Sequence, residues 1–239
     1  MTNYANIVKF DSLNDVHSAA YDFVEERLKL ATANKRKTSL FLSGGSTPGP
    51  IYQNLSKAKL PWSRIKIAQV DDRWVPLSSK GSNAAMIKRT LLRHKAANAK
   101  FFRMKSRHKS PWAGQDKVND DYSALPMDNS IAILGMGADG HVCSWFPAAK
   151  GLSNALDPAN DNLVQAVTAK KSKVTGPYLD RITLTLSALK QCGSLLLIIS
   201  GDEKQRVLNK ALADPTSDLP VGHLLRSCGN RLTIMMTGS

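Results

Sequence analysis

The sequence has few cysteines and no long hydrophobic run. Its three cysteines, Cys143, Cys192 and Cys228, are widely spaced and odd in number, which fits neither a disulfide framework nor a zinc knuckle. We therefore expect reduced thiols and a cytoplasmic protein. The longest purely aliphatic run, residues 195–199, is far too short to cross a membrane. The first ten residues, MTNYANIVKF, lack the basic-then-apolar pattern of a secretion signal.

Acidic residues are also scarce, because 19 Asp and Glu face 33 Lys and Arg and give a formal net charge of +14. Such a field attracts anions, which leaves nucleic acid, an anionic membrane or a small phosphorylated metabolite as partners. Residues 87–109 combine basic and aromatic side chains, yet no helix-turn-helix, zinc-finger or RNP signature accompanies them. We expect neither a nucleic acid nor a membrane as partner. No two histidines have metal-ligand spacing, so we expect no metal.

Apolar strand-like segments alternate with helical patterns along the whole chain. The predicted strands are 7–10, 38–42, 64–70, 131–135, 163–167, 181–186, 193–200 and 231–237. Helical spacing is clearest over 13–31, where Asn14 or Asp15 is a candidate cap, and over 84–94. This alternation predicts an α/β fold of three layers, in which helices cover both faces of a mostly parallel sheet. Without a linker or internal repeat, we expect one domain over residues 1–239.

A loop rich in glycine and hydroxyl residues follows the strand at 38–42. It contains Gly44, Gly45, Ser46 and Thr47, and a helical pattern starts soon after Pro48. Glycines allow backbone N–H groups to approach an anion, and a helix N-terminus adds a positive dipole end. The loop is not a Walker A motif, since no lysine stands at the required spacing. It is either an anion cradle or an ordinary turn between strand and helix.

Asp71, Asp72 and Arg73 follow the predicted strand at 64–70. The guanidinium of Arg73 suits a phosphate or carboxylate, and either aspartate suits a hydroxyl group or a proton transfer. An Asp–Arg pair that only fastens a loop fits the same residues. The sequence leaves both interpretations open.

The segment IAILGMGADGHVCSWFP, residues 131–147, carries the most chemistry. An apolar strand breaks at glycines and then presents Asp139 and His141. Ligands of open α/β sheets bind at the carboxyl ends of the strands, and an imidazole exchanges protons near neutral pH. GMGADG is a literal G-x-G-x-x-G, but no helix pattern opens behind it, so we do not interpret it as a dinucleotide site.

Lys204 falls in the first turn of a predicted helix after the strand at 193–200. The helix dipole favours an acid there, so a lysine suggests an anion ligand. Four loops with polar residues thus follow four predicted strands: 43–47, 71–73, 139–141 and 201–204. Their convergence on one sheet edge is a stronger signal than any one of them alone.

Taken together, these pieces resemble the 6-phosphogluconolactonase family of the pentose phosphate pathway. The matching segments are SGGSTP (43–48), DDRWVP (71–76), SN (82–83), GMGADGHVCSWFP (135–147), RITLT (181–185) and GDEK (201–204). The resemblance implies a cofactor-free hydrolase whose fold is akin to that of glucosamine-6-phosphate deaminases. It implies that Gly44, Gly45, Ser46, Thr47, Arg73, Arg181 and Lys204 bind a phosphorylated sugar lactone. It also implies that His141 is the general base and that Asp139 or Asp71 orients the imidazole or the sugar hydroxyls.

The chain departs from the family pattern at two places. Asp72 replaces the usual glutamate, and Pro220-Val221-Gly222 lacks a small hydroxyl or amide residue after the proline, where His223 is a candidate substitute. The closest alternative is a glucosamine-6-phosphate deaminase, but that family has Asn-Glu-Pro where this chain has Trp145-Phe146-Pro147. An apolar Phe146 cannot transfer protons. A non-catalytic anion- or nucleic-acid-binding protein is the alternative from another class, and the oligomeric state is left open.

Overall fold

A six-stranded parallel sheet forms the centre of the fold. The computed structural model describes residues 5–238. The sheet contains β1 (Asn6–Phe10), β2 (Thr38–Leu42), β3 (Ile65–Gln69), β5 (Ile131–Gly135), β8 (Ser194–Ser200) and β9 (Leu232–Thr237). Their order is β1-β9-β8-β5-β2-β3, and every neighbouring pair is parallel. The predicted α/β fold with a mostly parallel sheet is confirmed.

A small antiparallel sheet, which the sequence analysis did not predict, lies beside the first. It contains β4 (Asp71–Arg73), β6 (Val164–Thr168) and β7 (Asp180–Leu184) in the order β4-β7-β6. The expectation that Asp71–Arg73 is simply the loop after a strand is therefore wrong. Val70 connects the sheets, since its amide donates to the carbonyl of Leu42 at 3.0 Å and its carbonyl accepts from Leu184 at 2.8 Å. Pairing between residues so distant in sequence leaves no local pattern.

Helices cover both faces of the parallel sheet. They are α1 (Leu13–Ala31), α2 (Gly49–Leu55), α3 (Asn83–Thr90), α4 (Pro111–Ser123), α5 (Leu152–Leu156), α6 (Leu186–Gln191), α7 (Asp202–Ala213) and α8 (Pro220–Cys228). The cap of α1 is Ser12 rather than Asn14 or Asp15, because its hydroxyl accepts from the amide of Asp15 at 3.2 Å. None of the described helices is long and apolar enough to cross a membrane.

Two hydrophobic cores, one on each face, fix the parallel sheet. Leu40 and Leu42 of β2 pack into the core beneath α1 and α2, whereas Phe41 points into the core shared with the antiparallel sheet and α4. All three side chains are fully buried. This period-two alternation buries both faces of the strand, so the loops at the sheet edge extend from a rigid support.

Four neighbouring strands, in the order β8-β5-β2-β3, direct their carboxyl ends to one edge of the sheet. The loops that follow them begin at Gly201, Met136, Ser43 and Val70. Adjacent parallel strands place their following loops side by side, which is where open α/β sheets bind ligands. The four polar segments singled out in the sequence therefore meet at one place, although residues 71–73 form a strand.

Candidate active site

A cleft of about 380 Å³ opens at this edge of the sheet. Nine of the ten site residues predicted from the sequence line it: Gly44, Gly45, Ser46, Thr47, Asp71, Arg73, His141, Arg181 and Lys204. The tenth, Asp139, lies behind His141 and contacts its ring. Among the described residues no three His, Cys, Asp or Glu side chains come together as a metal site. The cleft thus combines one imidazole, one carboxylate and three cationic side chains.

The loop after β2 presents a row of free backbone donors. The amides of Gly44, Gly45, Ser46 and Thr47 donate no hydrogen bond to any acceptor in residues 5–238. Gly45 has φ of +98°, a conformation that favours glycine. Gly44 has no room for a side chain, because an added Cβ would lie 1.9 Å from Oδ1 of Asn83. Consecutive unpaired N–H groups in such a turn form an anion-binding concavity.

Arg73 and Arg181 are directly opposite each other in the antiparallel sheet, where β4 pairs with β7. In the described part of the chain neither guanidinium lies within ion-pair distance of a carboxylate. Like charges at opposed positions of a sheet are destabilising. Two guanidinium groups placed in this way suit an anion between them, since guanidinium groups bind phosphate or carboxylate bidentately.

Neutral acceptors fix both guanidinium groups. Nη1 of Arg73 donates to the carbonyl of Gly81 at 2.9 Å and to Oδ1 of Asn83 at 3.1 Å. Arg181 donates from Nε to the carbonyl of Tyr178 at 3.0 Å and from Nη2 to that of Thr175 at 2.8 Å. Burial lowers the pKa of Arg181 to about 10, although the negative charge of Asp71 raises it in part. The guanidinium of Arg181 therefore stays protonated at neutral pH. Both groups are therefore held in place by partners that carry no charge.

Lys204 supplies the third cation from the first turn of α7. Its side chain is half-buried and makes no hydrogen bond or ion pair with the described residues. Gly201, which precedes the helix, has φ of +96° and turns the chain sharply from β8 into α7. The lysine is therefore held at the cleft by its helix alone and is free to contact a ligand.

His141 and Asp139 form a hydrogen-bonded pair at the end of β5. Oδ1 of Asp139 accepts from Nδ1 of His141 at 2.5 Å and from its backbone amide at 3.2 Å. A carboxylate only accepts, so the imidazole hydrogen is on Nδ1 and the lone pair of the neutral ring is on Nε2. No described residue makes a hydrogen bond to Nε2. The pair therefore presents a free basic nitrogen on a ring that lines the cleft.

The glycines of this turn allow the pair to form. A Cβ on Gly137 would lie 2.2 Å from Nδ1 of His141 and 2.7 Å from Oδ1 of Asp139. Gly140 has φ of +79°, which brings the chain back so that the amide of Gly137 donates to the carbonyl of His141 at 2.9 Å. Glycine at 137 is therefore a steric requirement of the acid–imidazole contact.

The pKa of Asp139 lies below its ordinary value. Burial alone would raise this pKa, but the hydrogen bonds and charge of His141 together outweigh burial. Asp139 is consequently ionised at neutral pH and remains an acceptor for Nδ1–H. This favours one tautomer and one orientation of the ring.

The other two aspartates have separate positions. Asp71 lines the cleft, where its Oδ2 accepts from the hydroxyl of Ser144 at 2.6 Å and its Oδ1 from Asn83 at 3.3 Å. Asp72 is fully buried and absent from the cleft wall. Burial raises the pKa of Asp72 in spite of the hydrogen bonds it accepts. Of the two, Asp71 alone faces the cleft.

Asp72 organises the polypeptide around the cleft through four hydrogen bonds. It accepts from the side chain of Gln69 at 2.7 Å and from the amides of Arg73, Asn83 and Ala84 at 2.8, 2.8 and 3.1 Å. The last two belong to the first turn of α3, which has no partner for them within the helix. The residue that departs from the family pattern thus ties β4 to α3.

We expect Asp72→Asn to destabilise the fold. The side-chain amide nitrogen of the new asparagine would face at least one N–H group that the carboxylate of Asp72 now accepts from. The side-chain amide of Gln69 cannot flip to present its oxygen instead, because this Oε1 already accepts from the amide of Met104 at 3.0 Å. Each buried donor left unsatisfied costs about 1–3 kcal/mol in the free energy of unfolding. Chemical denaturation checks this, with exposed Asp128→Asn as control. Equal stability of the two variants would contradict the assigned role.

Three residues near the cleft were not among the predicted site residues. Asn83 lines the cleft and contacts Arg73 and Asp71. Ser144 binds Asp71, as described above. The buried ring of Phe146 lies between His141 and Arg181. Its centroid is 4.0 Å from that of the His141 ring and 4.6 Å from Cζ of Arg181. All three belong to segments that match the family pattern, 82–83 and 135–147.

Known proteins resemble this chain over most of its length. A profile described as "Glucosamine-6-phosphate isomerases/6-phosphogluconolactonase" matches residues 11–234. A 6-phosphogluconolactonase of Rhizobium meliloti is 33% identical over 231 residues, covering 96% of this chain and 97% of that protein. One of Pseudomonas aeruginosa is 35% identical over 205 residues, covering 85% of this chain and 84% of that protein.

A solved structure extends the likeness to the whole fold. The crystal structure of a 6-phosphogluconolactonase from Shewanella baltica superposes with a TM-score of 0.90 at 31% identity, and the match covers 99% of both chains. The sequence match spans nearly all of the fold and every loop of the cleft. The chain belongs to the glucosamine-6-phosphate isomerase/6-phosphogluconolactonase family.

Proposed function

We propose that this chain hydrolyses 6-phospho-D-glucono-1,5-lactone to 6-phospho-D-gluconate in the oxidative pentose phosphate pathway, and that His141 is the general base. The observation that carries the proposal is the free Nε2 of an Asp-oriented imidazole in a cleft lined by three cations. The relatives from Rhizobium meliloti and Pseudomonas aeruginosa are both named 6-phosphogluconolactonase.

The phosphate group binds at the cationic side of the cleft. The unpaired amides of residues 44–47 donate to its oxygens, and Arg73, Arg181 and Lys204 neutralise its charge. Charge-assisted hydrogen bonds of this kind are roughly twice as strong as neutral ones. Because they lie away from the reacting carbon, they supply binding and orientation of the lactone ring.

His141 acts on the water that attacks the lactone carbonyl. Nε2 takes a proton from water as the water oxygen bonds to C1, which gives a tetrahedral intermediate and an imidazolium. The intermediate then collapses, the bond from C1 to the ring oxygen breaks, and the imidazolium returns the proton to that oxygen. The products are a carboxylic acid and a free hydroxyl. Backbone N–H groups of the glycine-rich turns are the candidate donors to the developing oxyanion.

The two aspartates at the site divide the remaining tasks. Asp139 contacts His141 and keeps the hydrogen on Nδ1. Asp71 faces the cleft with its carboxylate fixed by Ser144 and Asn83, so it accepts hydrogen bonds from the sugar hydroxyls. Side chains and backbone groups of the chain carry every step, and we propose no cofactor.

The test is to separate lactone hydrolysis from sugar-phosphate deamination. Freshly generated 6-phosphogluconolactone is followed to 6-phosphogluconate in a coupled assay, with spontaneous opening subtracted, and glucosamine 6-phosphate is assayed for ammonia release in parallel. We expect hydrolysis without ammonia, because the buried Phe146 lies beside the imidazole where deaminases carry a glutamate. Ammonia release without lactone hydrolysis would contradict the proposal.

Lys204→Met is expected to raise KM about 10- to 100-fold with little change in kcat, because one charge-assisted contact contributes about 1.5–3 kcal/mol of binding. Lys204 is the most informative of the three cations, since its side chain makes no hydrogen bond or ion pair with the described residues. Arg181→Met would also release the carbonyls of Thr175 and Tyr178. Initial rates across substrate concentration measure the effect. Lys210→Met, on the exposed side of the same helix, is the matched control, and equal KM values in both variants would place the phosphate elsewhere.

A further inference from the structure

Three lysines without carboxylate partners lie beside the cleft. Residues 170–176, KKSKVTG, form a segment that we term the lysine loop. Lys170, Lys171 and Lys173 are all exposed, and none lies within ion-pair distance of a carboxylate in residues 5–238. Three like charges within four residues repel each other. Neither packing nor ion pairing in the described structure accounts for them.

The lysine loop is fixed to the cleft at its far end. Val174 lines the cleft, and the carbonyl of Thr175 accepts from Nη2 of Arg181 at 2.8 Å. The hydroxyl of Thr175 closes the loop, since it donates to the carbonyl of Lys170 at 3.0 Å and accepts from the amide of Ser172 at 2.8 Å. With about 3.8 Å between consecutive Cα atoms, every lysine backbone lies within roughly 15 Å of Val174.

At that separation the lysines act through their field and need no contact with a ligand. The Debye length is about 8 Å at physiological ionic strength and about 30 Å at 0.01 M, so their attraction reaches the cleft most strongly at low salt. Inside the cleft this field adds to that of Arg73, Arg181 and Lys204, against the single carboxylate of Asp71 on the wall. Clefts lined by one sign of charge concentrate ligands of opposite charge.

We propose that the lysine loop is an electrostatic collar that draws phosphorylated substrates into the cleft and so favours them over neutral lactones. The proposal rests on the lactonase function proposed above. It assigns a purpose to part of the net charge of +14. It also predicts that removing the charges changes substrate capture and leaves the chemical step unaltered, because none of the three lysines lines the cleft.

The experiment compares two triple variants that remove the same charge. One is Lys170→Gln/Lys171→Gln/Lys173→Gln. The control is Lys35→Gln/Arg36→Gln/Lys37→Gln, at the amino end of β2 and therefore at the opposite edge of the sheet. At about 10 mM ionic strength we expect the lysine-loop variant to lose roughly tenfold in kcat/KM for 6-phosphogluconolactone at unchanged kcat. The loss should fall below about twofold at 0.5 M salt. The control should stay within about twofold of wild type throughout.

Any other result would contradict the proposed role of the lysine loop. Equal losses in both variants would mean that net charge alone matters, and a loss that persists at high salt would mean a contact or a folding defect. Calorimetric binding of 6-phosphogluconate repeats the comparison without catalysis, so a failure of the lactonase proposal does not hide the result. If the two triple variants bind 6-phosphogluconate equally at low salt, the lysine loop has no such role.

Discussion

His141→Ala is expected to lower kcat for lactone hydrolysis by about 10²–10⁴-fold, the usual contribution of a positioned general base. The variant loses the only imidazole on the described cleft wall, and with it the basic Nε2 that takes a proton from water. The fold should survive, because the partner of the ring, Asp139, becomes accessible to water when the ring is removed. The measurement is the initial rate of 6-phosphogluconate formation above spontaneous opening, together with the thermal midpoint of each protein.

A second histidine provides the control for this substitution. His223 in α8 is half-buried and does not line the cleft. His223→Ala should keep near-wild-type activity, so the sequence-based suggestion that it substitutes for a family residue is also tested. A His141→Ala protein with near-full activity and an unchanged thermal midpoint would remove His141 from the mechanism.

Asp139→Asn is expected to lower kcat by about 10²-fold or more while KM changes little. The asparagine amide can donate to Nδ1, which places the ring hydrogen on Nε2 and removes the lone pair that faces the cleft. In the wild type, the hydrogen bond from His141 lowers the pKa of Asp139, so this carboxylate is ionised at neutral pH and only accepts. Steady-state kinetics at neutral pH measure both parameters.

The double variant Asp139→Asn/His141→Ala decides whether Asp139 acts through the imidazole. If it does, the double variant is no slower than His141→Ala, because the two residues act as one unit and their effects are not additive. A further loss of tenfold or more in the double variant would show that Asp139 has an independent contact with substrate.

Local patterns allowed the parallel sheet to be predicted from the sequence, whereas the partner of His141 was left open between Asp139 and Asp71. Residues 13–31 and 38–42 were assigned with the observed bounds, because amphipathic spacing and a short apolar run each specify one structure. Asp139 and His141 are two residues apart, so the glycine-rich turn that joins them is itself visible in the sequence.

The remaining features of the fold and the site depend on contacts between residues far apart in the sequence, which local patterns do not reveal. The antiparallel sheet brings Arg73 opposite Arg181, more than a hundred residues later, and only the family resemblance suggested that both belong to one site. The helix that begins at Pro220 was not predicted, although its Val221 amide donates to the carbonyl of Gly140 at 3.0 Å and thus supports the histidine turn. The sequence marks Phe146 only as an apolar residue in place of the deaminase glutamate, since its position between His141 and Arg181 depends on tertiary structure.

The most direct measurement is the rate of opening of freshly generated 6-phosphogluconolactone by wild type and by His141→Ala at equal protein concentration. We expect a large acceleration over spontaneous opening by wild type, and almost none by the variant. Acceleration by both proteins would keep the reaction but exclude His141 as its base. No acceleration by wild type would contradict the proposed function itself.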